Sequence, residues 1–594
     1  MYYSKKQFKR QVKNAILWKK VCGHGILIQV CAETEIYRNG RFKKRMRKKT
    51  GRIILILLCV TILAGFVWLD NSVMQENSES ELSFILDNEV IYAWEGEEAW
   101  YLFLPSYAEL SDVHLSSYSK EFEITDINKK LKHGFVLDEL SYNREYMCKE
   151  SASGKEFTFC IMKSENLPAI FMETDSGTLD AIWADKTVEE NGKIRLFSAD
   201  GEFLYRGGLN SVRARGNYSF AHYGKKPFSI TLKEEVSLLR LGAGQKYVLL
   251  SNASDPTLIR NDIARRLEEA LGAEYNNIGC FVDLYANGNY IGNYYLCESI
   301  DVGYERINIT DLEGQMDLLY QKSNYESFTD YENEYAHAKN MDNIPLDITG
   351  GYLFEREFTE RYQLEYEENP SGFITEGEEH FIVKSPLYCS AEQIEYLRNY
   401  LNEAEEAILS PEGICAETDK SYEEYIDVDS FVKKYLVEEI TKNYDAGVSS
   451  TFFYKDTDSV DSKIKAAPIW DVDMSLGSYL EWMAYFCEDP EGITKLSLHS
   501  SSSPWYQALY QKEEYYQKIA EYYENRAVPF LEELSESGLK QYEQVLSASA
   551  AMNEIRWKND FANNQYYDGR TEEFAELKDY ICKRKAYLDK AWIQ

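Results

Sequence analysis

The stretch from Lys442 to Gly477, KNYDAGVSSTFFYKDTDSVDSKIKAAPIWDVDMSLG, constrains this chain more than any other. Apolar spacing at Val432, Tyr435, Leu436 and Ile440 predicts a helix over Asp429–Tyr444 that delivers Asp445 and ends at Gly447. Two strand-like runs follow, Thr451–Lys455 and Lys463–Trp470, and the second empties into Asp471-Val472-Asp473. One acid in a loop is usually just solvated, and the chain holds 99 acids. Asp471 and Asp473 differ, because the apolar run Ala466–Trp470 precedes them and Met474 and Leu476 follow. A carboxylate pair beside a buried strand end must be paired or cation-bound to be tolerated.

Charge divides the chain unequally. Residues 1–70 hold 16 Lys and Arg against Glu33, Glu35 and Asp70, leaving 49 basic and 96 acidic residues of the chain's 65 and 99. A surface of that sign repels nucleic acid and suits cationic partners and divalent ions. Within the basic segment, Ile53–Leu69 is an uncharged apolar run preceded by Lys43, Lys44, Arg45, Arg47, Lys48, Lys49 and Arg52. At about 1.5 Å per residue it just crosses a hydrocarbon core. The expectation is a single-pass signal-anchor with residues 1–52 cytosolic and the bulk extracytoplasmic. MRKKTGRIILILL, from Met46, also reads as a complete signal N-terminus, which makes Met46 a candidate start.

With 594 residues, 44% of them apolar, the chain suffices for two to four domains. The predicted organisation is a basic N-terminus (1–52), a transmembrane run (53–69), a linker (70–82), a small β-sandwich-like domain (83–165) and a larger domain (166–594). Short alternating runs such as Val90–Trp94, Ala99–Leu104, Phe122–Ile127 and Phe157–Met162 carry the sandwich expectation. Eleven Cys show no zinc spacing, though Cys148 and Cys160 flank a turn-like SASGKE and are candidates for a cross-hairpin disulfide. Beyond Pro168, Arg215 and Asn217 lie in the turn VRARGNYS, and Lys225 and Lys226 open an alternating strand on which Lys226 is expected to share the inward, cleft-facing side with Phe228 and Ile230 and Lys225 to point to solvent. Asp255 and Pro256 are predicted as N-cap and first residue of a helix with stripe Ile259, Ile263, Leu267 and Leu271. Asn287-Gly288 predicts a hairpin ending at Glu298. Residues 302–345 read as an irregular acidic insertion, Ala391–Leu409 as a helix, and the chain from Pro504 to Trp592 as helical.

Taken in order, RARGNYS, KKPFSITL, LLSNASDPTLIRNDIARRL, DLYANGNYIGNYYLCESID, GGYLFE, FIVKSP, VEEITKNYDAGVSSTFFYKD and PIWDVDMSLG resemble the CotH-type kinase family, atypical protein kinases named after spore coat protein H. The resemblance covers roughly Pro168 to Gly477. It implies an α+β fold: a two-lobed atypical protein-kinase-like domain, here preceded by the small all-β domain and the transmembrane helix. It also implies an ATP-dependent Ser/Thr phosphotransferase using Mg2+ or Mn2+ on envelope or spore-coat-type proteins, basic ones given the charge, or on itself. Asp445 would be the catalytic base, and Asp471, Asp473 and Ser450 metal ligands. Arg215, Asn217, Lys226, Arg260 and Glu298 would contact the nucleotide. Two departures stand out. Ser450 occupies the place of the second-metal Asn of H-R-D-x-x-x-x-N, and no G-x-G-x-x-G precedes Lys226.

Two other functions compete. Ser450 motivates a catalytically weak pseudokinase acting as a surface or coat binding protein. A carboxylate glycosidase would pair Asp471 with Asp473, about 6–7 Å apart if they alternate on an extended strand. That scheme leaves the cationic turns without a task.

Overall fold

The computed structural model describes residues 82–593 apart from 117–120, 320–325, 331–334, 340, 342–343, 359–370, 448, 479–488, 497–502 and 559–569. The structure corrects the expected single-pass membrane localisation: among the described residues no helix is long and apolar enough to cross a membrane. The run Ile53–Leu69, Met46 and nearly all of the linker lie outside the described residues.

The chain is α+β. Residues 83–163 form a three-stranded and a six-stranded sheet, with Phe84, Leu102, Phe122, Phe159 and Ile161 in one core. That core continues into Phe171, Phe197, Tyr285, Tyr290 and Met552 from later in the chain. Cys148 and Cys160 are free. Their strands pair in a register that sets Cys148 opposite Phe157 and Cys160 opposite Glu145, so the thiols never face each other.

A closed seven-stranded barrel follows. Its strands, in order around the wall, are Ala169–Thr174, Glu190–Phe197, Phe203–Ala214, Phe228–Ser237, Ala243–Leu250, Asn289–Glu298 and Cys280–Ala286. Parallel pairing of Ala169–Met172 with Asp283–Ala286 closes it. Alternate residues Phe228, Ile230 and Leu232 point inward against Leu209, Val212 and Leu249, the period-two burial that a pleated wall requires. The predicted hairpin turn is present, with Asn287 at φ 49° and Gly288 at φ 80°, the pair of left-handed residues that matches strand twist.

The helix after the barrel's fifth strand spans Arg260–Ala270 and starts later than predicted. The Asp255 carboxylate accepts from the backbone N–H of Thr257 (2.9 Å) and Arg260 (2.8 Å), so it closes a preceding turn instead of capping a helix that begins at Pro256. The predicted stripe Ile259, Ile263, Leu267 and Leu271 is buried.

The C-terminal half carries a seven-stranded sheet ordered Glu326–Asp330, Tyr335–Lys339, Gly372–Ile374, His380–Ser385, Tyr352–Glu357, Thr451–Lys455 and Ile464–Ala466. Residues 302–345, expected to be irregular, thus supply two of its strands and the helix Leu312–Leu319. The helix Ala391–Leu409 has its predicted bounds, fixed by a reciprocal Ser390–Gln393 capping box. The helix Val428–Thr441 ends earlier than predicted, because Lys442 (φ 49°) and not Gly447 makes the left-handed exit. Helices between Pro504 and Trp592 pack on it, and Arg584, 1% exposed, pairs with Glu439 (2.8 Å), which is fully buried.

Candidate active site

Three local features build one cleft. The first is the exit of the helix Val428–Thr441. Leu476 N–H donates to the Thr441 carbonyl (2.8 Å) and Tyr444 N–H to the Met474 carbonyl (3.3 Å). These bonds lash the loop bearing Asp445 to the loop bearing Asp471 and Asp473. The second is the helix Arg260–Ala270, which presents Glu268 and Asn261 to the same segment. Ile469 N–H donates to Glu268 (2.9 Å) and Val472 N–H to Asn261 (3.1 Å). The third is the barrel rim. Arg215 N–H donates to the Pro227 carbonyl (3.0 Å), and Gly216 (φ 81°) turns where a Cβ would strike the Ser219 hydroxyl.

The cleft has a volume of about 650 Å³ and is lined by Lys186, Arg213, Arg215 and Asn217 from one side and by Glu355, Lys384, Asp445, Ser450, Trp470, Asp471 and Asp473 from the other. Lys186 donates to the Asn217 amide oxygen (2.8 Å). The Arg215 guanidinium lies over the Trp470 ring at 4.8 Å, so the residue before Asp471 is held by a cation from the barrel rim. Ser450 Oγ donates to the Asp471 carboxylate (3.4 Å), and Ser254 Oγ to the Asp473 carboxylate. Burial first, and then the charge of Asp471, push the Asp473 carboxyl up to about 6. Two acids repelling each other in a half-buried wall form a place where a cation lowers the energy.

Of the sequence-predicted residues, the structure brings Asp445, Ser450, Asp471, Asp473, Arg215 and Asn217 together in this cleft. It does not bring Lys226, Arg260 or Glu298 to the lining. The Lys226 ammonium donates back to the carbonyl of Phe220 in the short helix Tyr218–His222 and to that of Tyr223, which caps it. Lys225, expected at the surface, is 1% exposed and donates to the Ser251 (2.8 Å) and Asn293 (2.5 Å) carbonyls. The inward alternation begins at Phe228, after Pro227, so it never governed this pair. Arg260 is buried against Asp255. Glu298 faces Arg306 (3.7 Å) in a separate recess, and burial raises its carboxyl to about 7.

Lys384 and Glu355 form an ion pair (3.1 Å), and they do so inside the cleft. Ser254, Asn261, Glu268 and Trp470 were missed as supports of the acid loop, although Ser254, Asn261 and Trp470 lie within the quoted motifs and Glu268 directly follows one. The glycosidase geometry loses its premise. The last strand stops at Ala466, and Asp471 is at φ 53°, so Asp471 and Asp473 do not alternate on an extended strand.

A divalent ion fits this wall in one specific way. Among the described residues no group of three or more His, Cys, Asp or Glu is placed to hold a metal. Magnesium is commonly held by one or two carboxylates with the rest of its shell from water and substrate phosphates, and Asp471 and Asp473 match that demand.

An α+β protein with a closed barrel, a C-terminal half of helices with a seven-stranded sheet, and a cleft of cations facing carboxylates has the parts of a kinase-like protein. The family model described as "CotH kinase protein" matches residues 212–588, more than half of the chain, and the chain belongs to that family. No curated protein matches it.

Proposed function

We propose that this protein is an ATP-dependent phosphotransferase of two-lobed kinase architecture that phosphorylates Ser or Thr hydroxyls of protein substrates or of itself. The observation that carries the reading is the single cleft in which Asp445, Asp471 and Asp473 face Arg213 and Arg215. Its volume lies within the range of small-ligand sites. Asp445 is the base: the acceptor oxygen bonds to the γ-phosphorus while the bond to the β–γ bridging oxygen breaks, the proton passes to Asp445, and the electron pair leaves with ADP. Asp471 and Asp473 hold the Mg2+ or Mn2+, which neutralises phosphate charge when bound. Arg213 and Arg215 meet phosphate oxygens from the barrel side, with Asn217 and Lys186 bracing that turn. The net charge of −34 favours basic substrates.

Incubating the full chain with γ-labelled ATP, each metal in turn and a basic protein tests the proposal. Label on Ser or Thr is the expected result; none with any metal overturns it. Ser450 favours one second reading, a pseudokinase that binds partners without transfer, because a hydroxyl is a weaker cation ligand than the usual amide oxygen. ATP–metal stabilisation in a thermal scan without label incorporation would favour that reading.

A further inference from the structure

The C-terminal half gives the cleft Glu355, Asp445, Asp471 and Asp473, and among the described lining residues from that half Lys384 is the one cation. Phosphoryl transfer brings three anionic oxygens against Asp445, so positive charge is needed on that side as well as on the barrel side. The residues after Asp445 (Ala446, Gly447, Val448, Ser449, Ser450) supply none. Lys384 is placed by a local irregularity of its strand. Along the pairing of Tyr352–Glu357 with His380–Ser385, Leu353 faces Ser385 and the next residue, Phe354, faces Val383. Lys384 is therefore the extra residue of a bulge, the device by which a strand re-aims one side chain. Its ammonium pairs with Glu355 at 3.1 Å; the lysine side chain is 32% exposed while its partner is 7% exposed. Glu355 itself is fixed in register between Ile382 and Phe452. A buried anchor thus holds a partly exposed lysine in the cleft lining.

We infer that Lys384 is a further catalytic residue, contacting the γ-phosphoryl group as it moves to the acceptor, with Glu355 as the positioning residue that holds the ammonium. The inference rests on the kinase reading above. The bond changes are those already given; Lys384 stays protonated and stabilises charge.

The test uses the full chain, with Lys384→Met, Lys384→Arg and Glu355→Gln beside wild type. Transfer of label is measured, together with calorimetric affinities for ATP–Mn2+ and ADP–Mn2+. Lys384→Met should lower transfer about 100-fold, the size seen when one charge-stabilising donor is removed. It should leave ADP affinity unchanged and shrink the ATP-to-ADP affinity ratio; Lys384→Arg should restore part of both. Should Lys384→Met fail to fold, Glu355→Gln carries the test by slowing transfer at constant ADP affinity. Wild-type transfer that Lys384→Met or Glu355→Gln leaves unchanged overturns the inference alone, as does equal loss of ATP and ADP affinity, the mark of a merely structural ion pair. A wild-type protein that neither binds ATP–Mn2+ nor transfers label overturns the kinase reading, and this inference with it.

Discussion

At the scale of single residues, the acids of the cleft separate by what their loss should do. Asp471→Asn removes a charge from a repelling pair, so the protein should stay folded and lose metal-dependent ATP affinity. Asp445→Asn should still bind ATP–metal while transfer falls about 100- to 10,000-fold, the usual contribution of a positioned base. Calorimetry beside label transfer reads both, and reversed binding results would mean that the roles are swapped. The two lysines make a second residue-level case. Lys225 satisfies two buried carbonyls and lies 4.7 Å from the Tyr294 ring centroid. Lys225→Met should therefore lower unfolding free energy by about 2 kcal/mol, the cost of stranding buried acceptors. Lys226→Met, at a half-buried site in the turn before the strand Phe228–Ser237, should lower it less. Urea titration of both variants decides the order.

At the scale of elements, the acid-bearing loops are positioned by helices distant in sequence. Arg584 reaches from the last helix, Arg570–Trp592, to Glu439 Oε1 (2.8 Å) and to the carbonyls of Glu439 (2.6 Å), Pro490 (2.9 Å) and Gly492 (2.6 Å). Glu439 also accepts from the backbone N–H of Thr494 and Lys495 (both 2.8 Å). Breaking a buried pair leaves an uncompensated charge, so Arg584→Met should cost about 3–5 kcal/mol in a denaturant titration. Because the same helix delivers Asp445, transfer should fall with stability. A variant as stable as wild type would mean that this tie is dispensable.

At the scale of the whole molecule, several buried acids have raised pKa values, each chiefly through burial: Asp283 and Asp473 to about 6, Glu298 to about 7 and Glu268 to about 8. A raised folded-state value means that the folded protein keeps protons the unfolded chain releases. Stability from these groups is therefore greatest at low pH and is lost as pH rises toward each folded value. The metal-free protein should melt at a higher temperature near pH 5 than near pH 8. Asp283 accepts from Ser549 Oγ (2.6 Å) and Tyr290 Oη (3.2 Å), joining the barrel to the helix Leu539–Arg556. Asp283→Asn cannot ionise and should flatten the profile. A profile that rises with pH over this window would contradict the burial of these acids.

The sequence alone determined what depends on near neighbours. The capping box at Ser390, the Asn287-Gly288 hairpin and the buried stripe Ile259–Leu271 all come from short-range patterns with a direct physical cause, and the family was legible as a resemblance carried by motifs in order. The three acids Asp445, Asp471 and Asp473 were legible for the same reason, each following an apolar element that had to be buried. Only the tertiary structure decided where long charged side chains end. Lys226, Arg260 and Glu298 sit in family-like motifs yet turn to Phe220, Asp255 and Arg306, because a flexible stem finds whichever complementary partner lies within reach. The bulge that turns Lys384 into the cleft depends on pairing with a strand about 30 residues away, and the backbone bonds that tie the loop bearing Asp445 to the loop bearing Asp473 close only when both loops are folded. Such contacts span large sequence separations, so no local period or propensity records them.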